Sequence, residues 1–488
     1  MVELHTKILL LNPPGIEFHT RSSRWGGRKN RSGVISLPIF LAAASALLRQ
    51  NGLQVRLLDA AASNLTIEDV SGLIHKENVG IVVMEVSTTS VEQDAGLAGY
   101  LKQTFGVRIV FVGAHVSALP EETLKNYPVD VVCIGEYEET LVSLCQALLS
   151  INKPLEDVRG IAFLKDKEII ITRPRELINL DVLPFPDYKE LPLSKYYDPI
   201  VRRRPCLPLR ASRGCPYNCI FCVAPQVFYN HKVRYRSPER VVDDIMQLIT
   251  LGSREIFIDD DTFTFNKKWA IGICHELIRR KIRIDWSCFA RYDNIDEEIL
   301  KVLKKSNCYM LRFGIESGSQ KILDYCRKGI TIDRIKEASR LVKRCGMKTH
   351  VTVMFGLPGE TRETMVQTLD LIKELDPDYA QFSIATPYPG TRFYQLMKQE
   401  GRLISDNWSD YDGSCKSVVR LEGLDNAELS RFVDYAYRWF YFRFNYILKR
   451  LAGIRCLDEI YYLVKSSLAL IKSAIQNSMK NARCPHDR

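Results

Sequence analysis

Three cysteines lie within the segment RGCPYNCIFC, residues 213–222, at Cys215, Cys219 and Cys222. Thiolates this close together on one loop can bind a single metal ion or an iron–sulfur cluster. Structural zinc sites usually take four protein ligands from two such hooks, and the nearest spare thiol here is a lone one, Cys206. Clusters are normally held by four cysteines, so three ligands leave one iron with an open coordination position. The triplet therefore predicts an iron–sulfur centre with a free position for chemistry.

Composition and the amino terminus predict a reducing compartment for these thiols. The chain of 488 residues is 46% hydrophobic and 26% charged, which is typical of a soluble globular protein with two or three domains. The start, MVELHTKILLLNPPG, has the pattern of neither a signal peptide nor a transit peptide, and the apolar stretch PIFLAAASALL is too short to cross a bilayer. We therefore expect a cytoplasmic protein whose other eleven cysteines are mostly small buried hydrophobic residues.

The elements that must position the triplet alternate between strand-like and helical patterns from residue 205 to about residue 400. Helical segments such as SPERVVDDIMQLITLG begin with Ser-Pro and end with Gly. Six such βα units are fewer than the eight of a full barrel, so the pattern predicts a partial (β/α)6 TIM-type barrel with its active site at the carboxyl ends of the strands. The expected strands are 208–214, 255–261, 283–291, 310–317, 349–356 and 380–387. The triplet directly follows the first of them.

The first 150 residues predict a separate domain with a doubly wound, Rossmann-like parallel sheet. Continuous Val/Ile/Leu runs are typical of parallel strands covered on both faces, and a ligand of such a sheet binds at the carboxyl ends of its strands. Small or turn-forming residues in those loops would let a large planar or phosphate-bearing ligand approach the backbone, but no dinucleotide fingerprint is present, which argues against NAD. The expected strands are 7–13, 54–60, 79–87, 107–114 and 129–135.

Two further regions complete the predicted organisation. Residues 151–204 are proline-rich and irregular, which is typical of an ordered linker, and residues 401–488 are mainly helical. The net charge of +10 is concentrated in the tail, where residues 431–488 carry eleven Lys/Arg and four Asp/Glu. The tail segments 432–451 and 456–476 are either two helices packed on the barrel or a cationic, aromatic-rich surface that lies in a bilayer headgroup region. No RNA-binding module is recognisable, and no nucleic-acid partner is expected.

With these elements around it, the triplet resembles the cysteine motif of the radical S-adenosylmethionine (SAM) superfamily. The motif is Cx3Cx2C with an aromatic residue, Phe221, before the third cysteine, and the resemblance covers about residues 205–395. It implies that Cys215, Cys219 and Cys222 hold a 4Fe–4S cluster whose open iron chelates SAM. Reductive cleavage of SAM would then give a 5′-deoxyadenosyl radical, which takes a hydrogen atom from the substrate.

Later motifs agree with this family and imply contacts to SAM. They are IDDDTF (258–263), FGIESGS (313–319), VTVMFGLPGET (351–361) and PYPGT (387–391). Asp260 lies where the backbone of the family's second strand meets the methionine amino group, although the usual Gly-Gly is absent. Glu316 and Ser317 correspond to the ribose-contacting region, and Arg291 could reach the SAM carboxylate. For each of these polar residues the alternative is a capping or barrel-mouth hydrogen bond.

The segments LLLNPP, GAHVS and IGEYEETL resemble the cobalamin-binding group of the same superfamily. The aromatic, arginine-containing pattern of the tail segment 432–451 resembles the members of that group nearest to the anaerobic Mg-protoporphyrin monomethyl ester cyclase and hopanoid-biosynthesis enzymes. The implied ligand of residues 1–150 is a corrinoid. The Asp-x-His-x-x-Gly motif that supplies a cobalt ligand in other corrinoid proteins is absent, and His19 and His115 are the nearest candidates. The candidate corrinoid contacts are Asn12, Ser87, Gly113, His115, Gly135 and Glu136.

These resemblances give one leading functional hypothesis and several alternatives. The leading one is a cobalamin-dependent radical SAM enzyme that methylates an unactivated carbon of a hydrophobic, polycyclic or lipid-like substrate. Cyclisation, ring contraction or rearrangement without methyl transfer is the runner-up, and an iron–sulfur corrinoid carrier or sensor is the non-enzymatic alternative. A tRNA methylthiolating enzyme is disfavoured because the first domain has only Cys133 and Cys145. Expected partners are an electron donor such as flavodoxin or ferredoxin and, through the tail, the inner face of a membrane.

Overall fold

The computed structural model describes residues 7–452 except 16–18, 22–27, 30–32, 151–152 and 414–415. Its strands are β1 Lys7–Asn12, β2 His19–Thr20, β3 Arg28–Lys29, β4 Val55–Asp59, β5 Val79–Glu85, β6 Arg108–Val112, β7 Val131–Cys133, β8 Ile161–Lys165, β9 Glu168–Ile171, β10 Cys206–Leu209, β11 Ser212–Arg213, β12 Arg234–Tyr235, β13 Glu255–Ile258, β14 Asp285–Ala290, β15 Cys308–Glu316, β16 Lys348–Phe355 and β17 Tyr379–Ile384.

The helices connect these strands and form the carboxyl-terminal region. They are α1 Ile39–Gln50, α2 Ala60–Ser63, α3 Ile67–Lys76, α4 Val91–Phe105, α5 Ala114–Ala118, α6 Pro120–Asn126, α7 Glu138–Leu149, α8 Pro238–Thr250, α9 Lys267–Arg279, α10 Glu297–Lys305, α11 Gln320–Tyr325, α12 Ile332–Arg344, α13 Arg362–Leu375, α14 Arg392–Gln399, α15 Asn426–Tyr441 and α16 Phe444–Ala452.

The first sheet has, among the described residues, the strand order β4-β1-β5-β6-β7-β8-β9. Its first five strands are parallel, and helices cover both faces, α1 and α7 on one and α3 and α4 on the other. Strand β1 illustrates why helices must cover both faces of the sheet. Its side chains from Ile8 to Asn12 are all buried, so neither face of the strand meets solvent. The predicted doubly wound parallel sheet is therefore confirmed.

The antiparallel hairpin β8–β9 extends this sheet beyond β7, within the stretch that the sequence predicted to be an irregular linker. Its two-residue turn consists of Asp166 and Lys167, both with positive φ, 50° and 73°. Hairpin turns of this kind usually contain Asn-Gly or Asp-Gly, and the absence of glycine here removes the normal sequence signal. The strands are also short and half-exposed, so they lack the buried apolar runs of the parallel strands.

The second sheet has, within the described ranges, the parallel order β10-β13-β14-β15-β16-β17, and its two edge strands do not meet. This open six-stranded arrangement, with helices between the strands, confirms the predicted partial barrel. The expected first strand, 208–214, is shorter than predicted, because only residues 206–209 pair with β13. Residues 212–213 leave the sheet and form a small antiparallel ribbon with β12. The cysteine triplet lies on the loop between the two strands of that ribbon.

The carboxyl-terminal helix α15 packs on the outside of the barrel. Phe440 is fully buried against Phe382, and the Tyr441 hydroxyl donates to the Ala380 carbonyl at 2.7 Å. The packed-helix interpretation of the tail therefore holds for α15, whereas the predicted second tail helix, 456–476, lies outside the described residues. Among the residues that are described, no helix is both long and apolar enough to cross a membrane.

Candidate active site

The start of the cysteine loop is fixed by the aspartates that follow β13. Asp260 is fully buried, and its carboxylate accepts hydrogen bonds from the Ala211 and Ser212 backbone N–H groups at 2.8 and 2.9 Å. Burial raises the pKa of Asp260 to about 6. Asp261 accepts from the Gly214 N–H at 2.8 Å. The structure thus uses the side chain of Asp260, a predicted SAM contact, to hold the segment before the cysteines.

Gly214 is required by the path of the chain just before the first cysteine. Its φ is +102°, a conformation that favours glycine, and a Cβ atom there would lie 1.9 Å from the carbonyl oxygen of Lys232. The cysteine loop can therefore close against the ribbon only because residue 214 has no side chain.

The far side of the loop is fixed by Gln226, which lies in the short π-helical turn Ala224–Tyr229. The Gln226 amide donates to the carbonyl oxygens of Cys219 and Cys222 at 3.2 and 2.7 Å and accepts from the Arg392 N–H at 2.7 Å. The loop carbonyls are thus tied to the helix that follows the last barrel strand. Sequence reasoning missed Gln226, although its position four residues after the last cysteine places it on the same turn.

The three thiols are free and have the chemistry that an iron–sulfur cluster requires. Cys219 is buried, Cys215 and Cys222 are half-buried, and all eleven cysteines in the described ranges are unpaired. Burial and the neighbouring cysteines raise the pKa of Cys222 well above its usual value, so a cationic centre is needed to hold all three as thiolates. The described residues contain no group of three His, Cys, Asp or Glu suited to a single metal ion. The fit to a cluster rests on three free thiols held on one loop beside fixed cations.

One of those cations is Lys328, which the sequence analysis did not identify. Its side chain is buried, and its ammonium nitrogen donates to Glu316 Oε1 at 2.8 Å. Burial alone would lower the pKa of Lys328, but the Glu316 and Cys219 charges outweigh burial and raise it. Lys328 lies in a loop after α11, so only the tertiary fold brings it to the cysteine loop.

Glu316 and Ser317 end β15 at the mouth of the barrel. Glu316 has φ +73°, and its carboxylate folds back over Gly314, where a Cβ would lie 2.3 Å from Oε1. Ser317 is buried, and its hydroxyl accepts from the Ser319 N–H at 3.1 Å. The structure thus places these two predicted residues together at a strand end, where Glu316 is paired with Lys328 and Ser317 stabilises the turn.

Arg291 lies against the cysteine loop from the side of β14. Its guanidinium carbon is 3.5 Å from the ring centroid of Tyr217, which lies between the first two cysteines. The guanidinium also donates to both carboxylate oxygens of Asp293, at 3.0 and 2.9 Å, and to the Lys328 carbonyl at 2.8 Å. Arg291 therefore brings a fixed positive charge to the loop while its donors are shared with Asp293.

The strand ends of the first sheet carry polar side chains that bond mostly to one another. The Asn12 amide donates to Asp59 Oδ1 at 2.8 Å. The buried Ser87 hydroxyl lies 2.9 Å from that of Ser90, which donates to Asp94 at 2.6 Å. The Asn12 Oδ1 atom, by contrast, is buried with no hydrogen-bond partner among the described residues, so the polar groups of this edge are only partly satisfied. The other histidine candidate, His19, lies in the short strand β2, two residues before Arg21, whose guanidinium donates to Asp94 Oδ1 at 2.8 Å.

Two other predicted residues at this edge, Gly113 and Gly135, have different surroundings. Gly113 has φ +120°, and a Cβ there would lie 2.4 Å from the Val86 carbonyl oxygen, so two strand ends approach closely. Gly135, with φ +77°, has no atom within 4 Å of the position of a Cβ. Open space beside its backbone suits a ligand that approaches the chain closely.

His115 is a second polar residue of this edge with unpartnered side-chain atoms. It is 1% exposed, neither ring nitrogen has a hydrogen-bond partner within the described residues, and its ring packs edge-on against Trp408 at 5.0 Å. Burial lowers the pKa of His115 to about 3, so the ring is neutral at physiological pH. A neutral imidazole without partners can accept a hydrogen bond or ligate a metal. Together with the open backbone at Gly135, it fits a corrinoid at this edge.

The two sheets meet through Glu136 and Glu138. The Glu136 carboxylate accepts from Arg213 at 2.9 Å and from Arg234 at 2.7 Å, and Glu138 accepts from Arg213 at 2.5 Å. Burial would raise the pKa of Glu136, but the two arginines outweigh burial and lower it. Arg213 directly precedes Gly214, so these ion pairs join the edge of the first sheet to the cysteine loop. Glu136, a predicted corrinoid contact, is shown by the structure to bind the second domain.

An apolar contact reinforces this junction. Ala114, at the start of α5, packs in one buried cluster with Val223, Ala224, Phe228 and Tyr229, which follow the third cysteine. Both ends of the cysteine loop are thus in contact with the strand-end loops of the first sheet. The sequence placed each loop at a strand end, and these contacts show that the two edges meet.

Comparison with known proteins agrees with this arrangement. The Radical SAM superfamily model matches residues 209–372, and the B12 binding domain model matches residues 30–145. An uncharacterized methyltransferase of Pyrococcus horikoshii, PH0819, is 34% identical over 472 residues, which are 93% of this chain and 99% of that protein. The anaerobic magnesium-protoporphyrin IX monomethyl ester cyclase of Cereibacter sphaeroides is 31% identical over 68% of this chain and 55% of its own length.

A solved structure shows the same fold. It is the cobalamin-dependent S-adenosylmethionine radical enzyme OxsB with aqua-cobalamin and S-adenosylmethionine bound, which matches with a TM-score of 0.71 at 19% identity and covers 96% of this chain and 72% of that one. The arrangement of a cysteine loop at the mouth of an open barrel, next to a doubly wound sheet, is that of an enzyme with a radical SAM domain and a B12-binding domain. The chain belongs to the radical SAM superfamily, in the group that carries a B12-binding domain. The predicted family, enzyme class and cofactor set, a 4Fe–4S cluster, SAM and cobalamin, are confirmed at that level.

Proposed function

We propose that this chain is a cobalamin-dependent radical SAM methyltransferase that acts on an unactivated carbon. The observation that carries the proposal is the junction between the two sheets, where Arg213 links Glu136 and Glu138 to the backbone just before Cys215. A radical generated at the barrel mouth and a methyl donor held at the first sheet would then face a common substrate. The 34% identity to a methyltransferase over nearly the whole chain supports methyl transfer.

Within this proposal each domain keeps its predicted limits and residues. The corrinoid domain spans residues 1–150, the linker 151–204, the barrel 205–400 and the tail 401–488. Cys215, Cys219 and Cys222 hold the cluster; Glu316, Ser317 and Arg291 contact SAM, and Asp260 contributes through the backbone of its segment. The corrinoid is held by Asn12, Ser87, Gly113, His115 and Gly135, with Glu136 fixing its edge against the barrel.

When bound, the cluster supplies the electron that cleaves SAM, and the corrinoid supplies the methyl group. The chain's own residues position these groups. Lys328 and Arg291 place two positive charges beside the thiolate loop, which offsets its negative charge in a buried setting. Gln226 holds the loop carbonyls, so the thiols remain free to face iron.

The barrel interior supports a substrate with an apolar body and a few hydrogen-bonding groups. Along β16 and β17, half-buried residues alternate with buried residues that pack under the helices. The half-buried residues include Thr352, Met354 and Gln381. Phe257 and Phe289 contact each other at 5.4 Å on neighbouring strands. A polycyclic or lipid-like substrate stays our proposal, and the polar side chains among the aromatic ones would orient it.

Anaerobic reconstitution tests this function. The reconstituted protein, with dithionite and SAM, should give 5′-deoxyadenosine, and with cobalamin and substrate also S-adenosylhomocysteine from remethylation of cobalt. Serine at 215, 219 or 222 should abolish iron incorporation and nucleoside formation, whereas the control Cys206→Ser, at a half-buried cysteine on β10, should retain both. SAM cleavage at wild-type rates by the triple serine variant would contradict the proposal.

The similarity to the cyclase favours a second candidate, radical cyclisation or rearrangement without methyl transfer. It uses the same residues in the same roles as the methyltransferase proposal. The two candidates differ only in whether a methyl group is transferred. Formation of 5′-deoxyadenosine without S-adenosylhomocysteine, in the presence of substrate, would select it.

Cytoplasmic localisation also stays a proposal, supported by the absence of disulfides among the described cysteines. Peripheral membrane contact would use the exposed side of the tail, where Phe442 and Phe444 are 57% and 72% exposed. Co-sedimentation with vesicles of anionic phospholipid tests this contact. The Phe444→Ser variant should no longer co-sediment, and an unchanged bound fraction would show that the tail does not bind the membrane.

A further inference from the structure

Two basic side chains of the central barrel strands face the space that the second sheet encloses, which we call the lumen. On β15, Leu311 and Phe313 are buried against the helices, so Arg312 between them faces the lumen. His350 on β16 is the direct register partner of Arg312 and therefore faces the same side. The guanidinium carbon of Arg312 lies 3.9 Å from the ring centroid of Phe257 on β13.

Both side chains carry buried polar atoms without partners. Arg312 is 6% exposed, and its Nε and Nη2 atoms have no hydrogen-bond partner among the described residues. Its Nη1 atom pairs with Asp198 at 2.9 Å. His350 is 7% exposed, and its Nδ1 atom is likewise without a partner in the described ranges. Burial and the Arg312 charge lower the pKa of His350 to about 3, so its ring is neutral. Because buried polar groups are normally hydrogen-bonded, these atoms are available to a ligand.

The unpartnered atoms of Arg312 select the kind of group that can bind. Nε and Nη2 lie on one edge of the guanidinium, where two parallel N–H groups match the two oxygens of a carboxylate or phosphoryl group. The nearby carboxylates already have partners, since Asp198 accepts from Nη1 and Glu255 accepts from the Tyr309 hydroxyl at 2.6 Å. Arg204, which donates to the Asp198 carbonyl at 2.8 Å, brings a second guanidinium to this end of the barrel.

The position of Arg312 in the barrel decides from which side a ligand reaches it. The linker covers the amino-terminal end of the barrel, where Ile200 packs against Tyr309 and Tyr379 near the starts of β15 and β17. The opposite end is the mouth, where the cysteine loop lies. Arg312 lies four residues before Glu316 on β15, which is about 13 Å below the mouth at the usual rise of a strand. A ligand of Arg312 therefore extends from the mouth into the lumen.

We propose that Arg312 binds an anionic oxyacid group of the substrate, a carboxylate or a phosphoryl group, and that His350 adds a further hydrogen bond. This inference rests on the proposed function, because it places the reacting carbon at the barrel mouth. The substrate is then an acid whose apolar body lies beside Phe257 and Phe289, with its anionic group roughly 10 Å from the reacting carbon. Arg312 orients the substrate and takes no part in the bond changes.

Small aromatic acids test this site although the substrate is unidentified. Anaerobically reconstituted protein is titrated with 4-fluorobenzoate or 4-fluorophenylphosphonate, and saturable broadening of the fluorine NMR signal gives the Kd. The wild type should bind at least one of these acids, and the one that binds more tightly identifies the oxyacid group. The uncharged 4-fluorobenzamide, which has nearly the same shape as the benzoate, should bind about tenfold more weakly than that acid.

The Arg312→Lys variant tests the contribution of the guanidinium edge. It keeps the positive charge beside Asp198 but loses the two parallel N–H groups, so it should bind the acid about tenfold more weakly than the wild type. The matched control is Arg236→Lys, at an equally buried arginine that pairs with Asp244 on α8 at 2.8 Å. This control should bind the acid with wild-type affinity.

The Asp198→Asn variant predicts a change in the opposite direction, which a damaged site would not give. It removes the negative charge beside Arg312 and keeps an acceptor oxygen, so it should bind the acid a few times more tightly. Iron content checks that both variants fold, and Asp198→Asn alone decides if Arg312→Lys does not load iron.

The proposal is wrong if the wild type binds neither acid, if it binds the amide as tightly as the acid, or if Asp198→Asn binds the acid no more tightly than the wild type. Wild-type affinity in a folded Arg312→Lys protein would also overturn it. If dithionite-treated wild type does not cleave SAM, the proposed function fails instead, whatever the binding results show.

Discussion

The two parallel sheets carry very different chemistry at the carboxyl ends of their strands. At the first sheet the polar side chains bond to one another, as Asn12 does with Asp59, and His115 is neutral. At the second sheet three thiols are free, and two fixed cations, Lys328 and Arg291, lie beside them. One edge holds a neutral histidine among buried polar groups that bond largely to one another, including the Arg21–Asp94 ion pair, and the other is a charged site that needs a partner.

This difference matches two kinds of ligand. A metal cluster held by thiolates depends on charge, so its site needs cations and a loop whose backbone is fixed. A large flat cofactor is held mainly by contact area and by many weak hydrogen bonds, so its site needs small residues and few unpaired charges. The arginines that join the edges, Arg213 and Arg234, are paired with Glu136 on the first sheet, so their charge is compensated within the junction.

The largest expected effect tests the rigid, charged edge. Gly214→Ala places a Cβ against the Lys232 carbonyl and displaces the cysteine loop, so we expect iron incorporation to fall below about one-tenth of wild type. The measurement is the iron and sulfide content per chain after anaerobic reconstitution. The matched control is Gly252→Ala, where φ is +90° but no atom lies within 4 Å of the new Cβ. Normal iron content in Gly214→Ala would show that the loop does not need this turn.

The junction between the edges gives the next largest effect. Arg213→Gln leaves Glu136 and Glu138 buried with one partner fewer, and we expect a loss of about 3–5 kcal/mol in the free energy of unfolding, because an uncompensated buried charge is costly. Urea unfolding at neutral pH measures it. Lys125→Gln, which breaks an exposed pair with Glu121, should cost no more than about 1 kcal/mol. Equal losses in the two variants would mean that the junction is not a buried ionic contact.

The neutral histidine of the first edge predicts a dependence on pH. Because the pKa of His115 is lowered from 6.5 to about 3 on folding, the unfolded chain binds a proton below pH 6.5 that the folded chain does not. Stability is therefore lost as pH falls, by about 1 kcal/mol between pH 6.5 and 5.5 for this group alone. In urea unfolding between pH 6.5 and 5.5, the His115→Phe variant should lose about 1 kcal/mol less unfolding free energy than the wild type. An identical pH dependence would show that the ring is not buried in the neutral form.

The smallest effect concerns a single neutral hydrogen-bonding side chain of the first edge. The Ser117 hydroxyl accepts from the Gly135 N–H at 3.0 Å and donates to the Gly113 carbonyl at 2.7 Å. Ser117→Ala should cost about 0.5–1.5 kcal/mol in unfolding free energy and leave iron content unchanged. Cobalamin affinity, measured by absorbance titration, should fall only a few-fold. A loss of iron in this variant would mean that the two edges are not chemically separate.

Much of the fold could be predicted from local pattern. Buried Val/Ile/Leu runs located the parallel strands of both sheets to within a few residues, and the six βα units predicted the open barrel. The hairpin β8–β9 could not be found, since its Asp166-Lys167 turn lacks the usual glycine. The cysteines could be assigned to a cluster because ligand spacing along a loop is a local property.

The sequence by itself therefore determined which elements form, where the cysteine loop lies and which family the chain resembles. The tertiary structure alone decided which charges surround that loop. Lys328 and Gln226 reach it from separate segments, and Glu136, a candidate corrinoid contact, is also an ion-pair partner of Arg213. The physical reason is that secondary structure follows from patterns over a few residues, whereas ion pairs and buried hydrogen bonds depend on distances between segments that only packing sets.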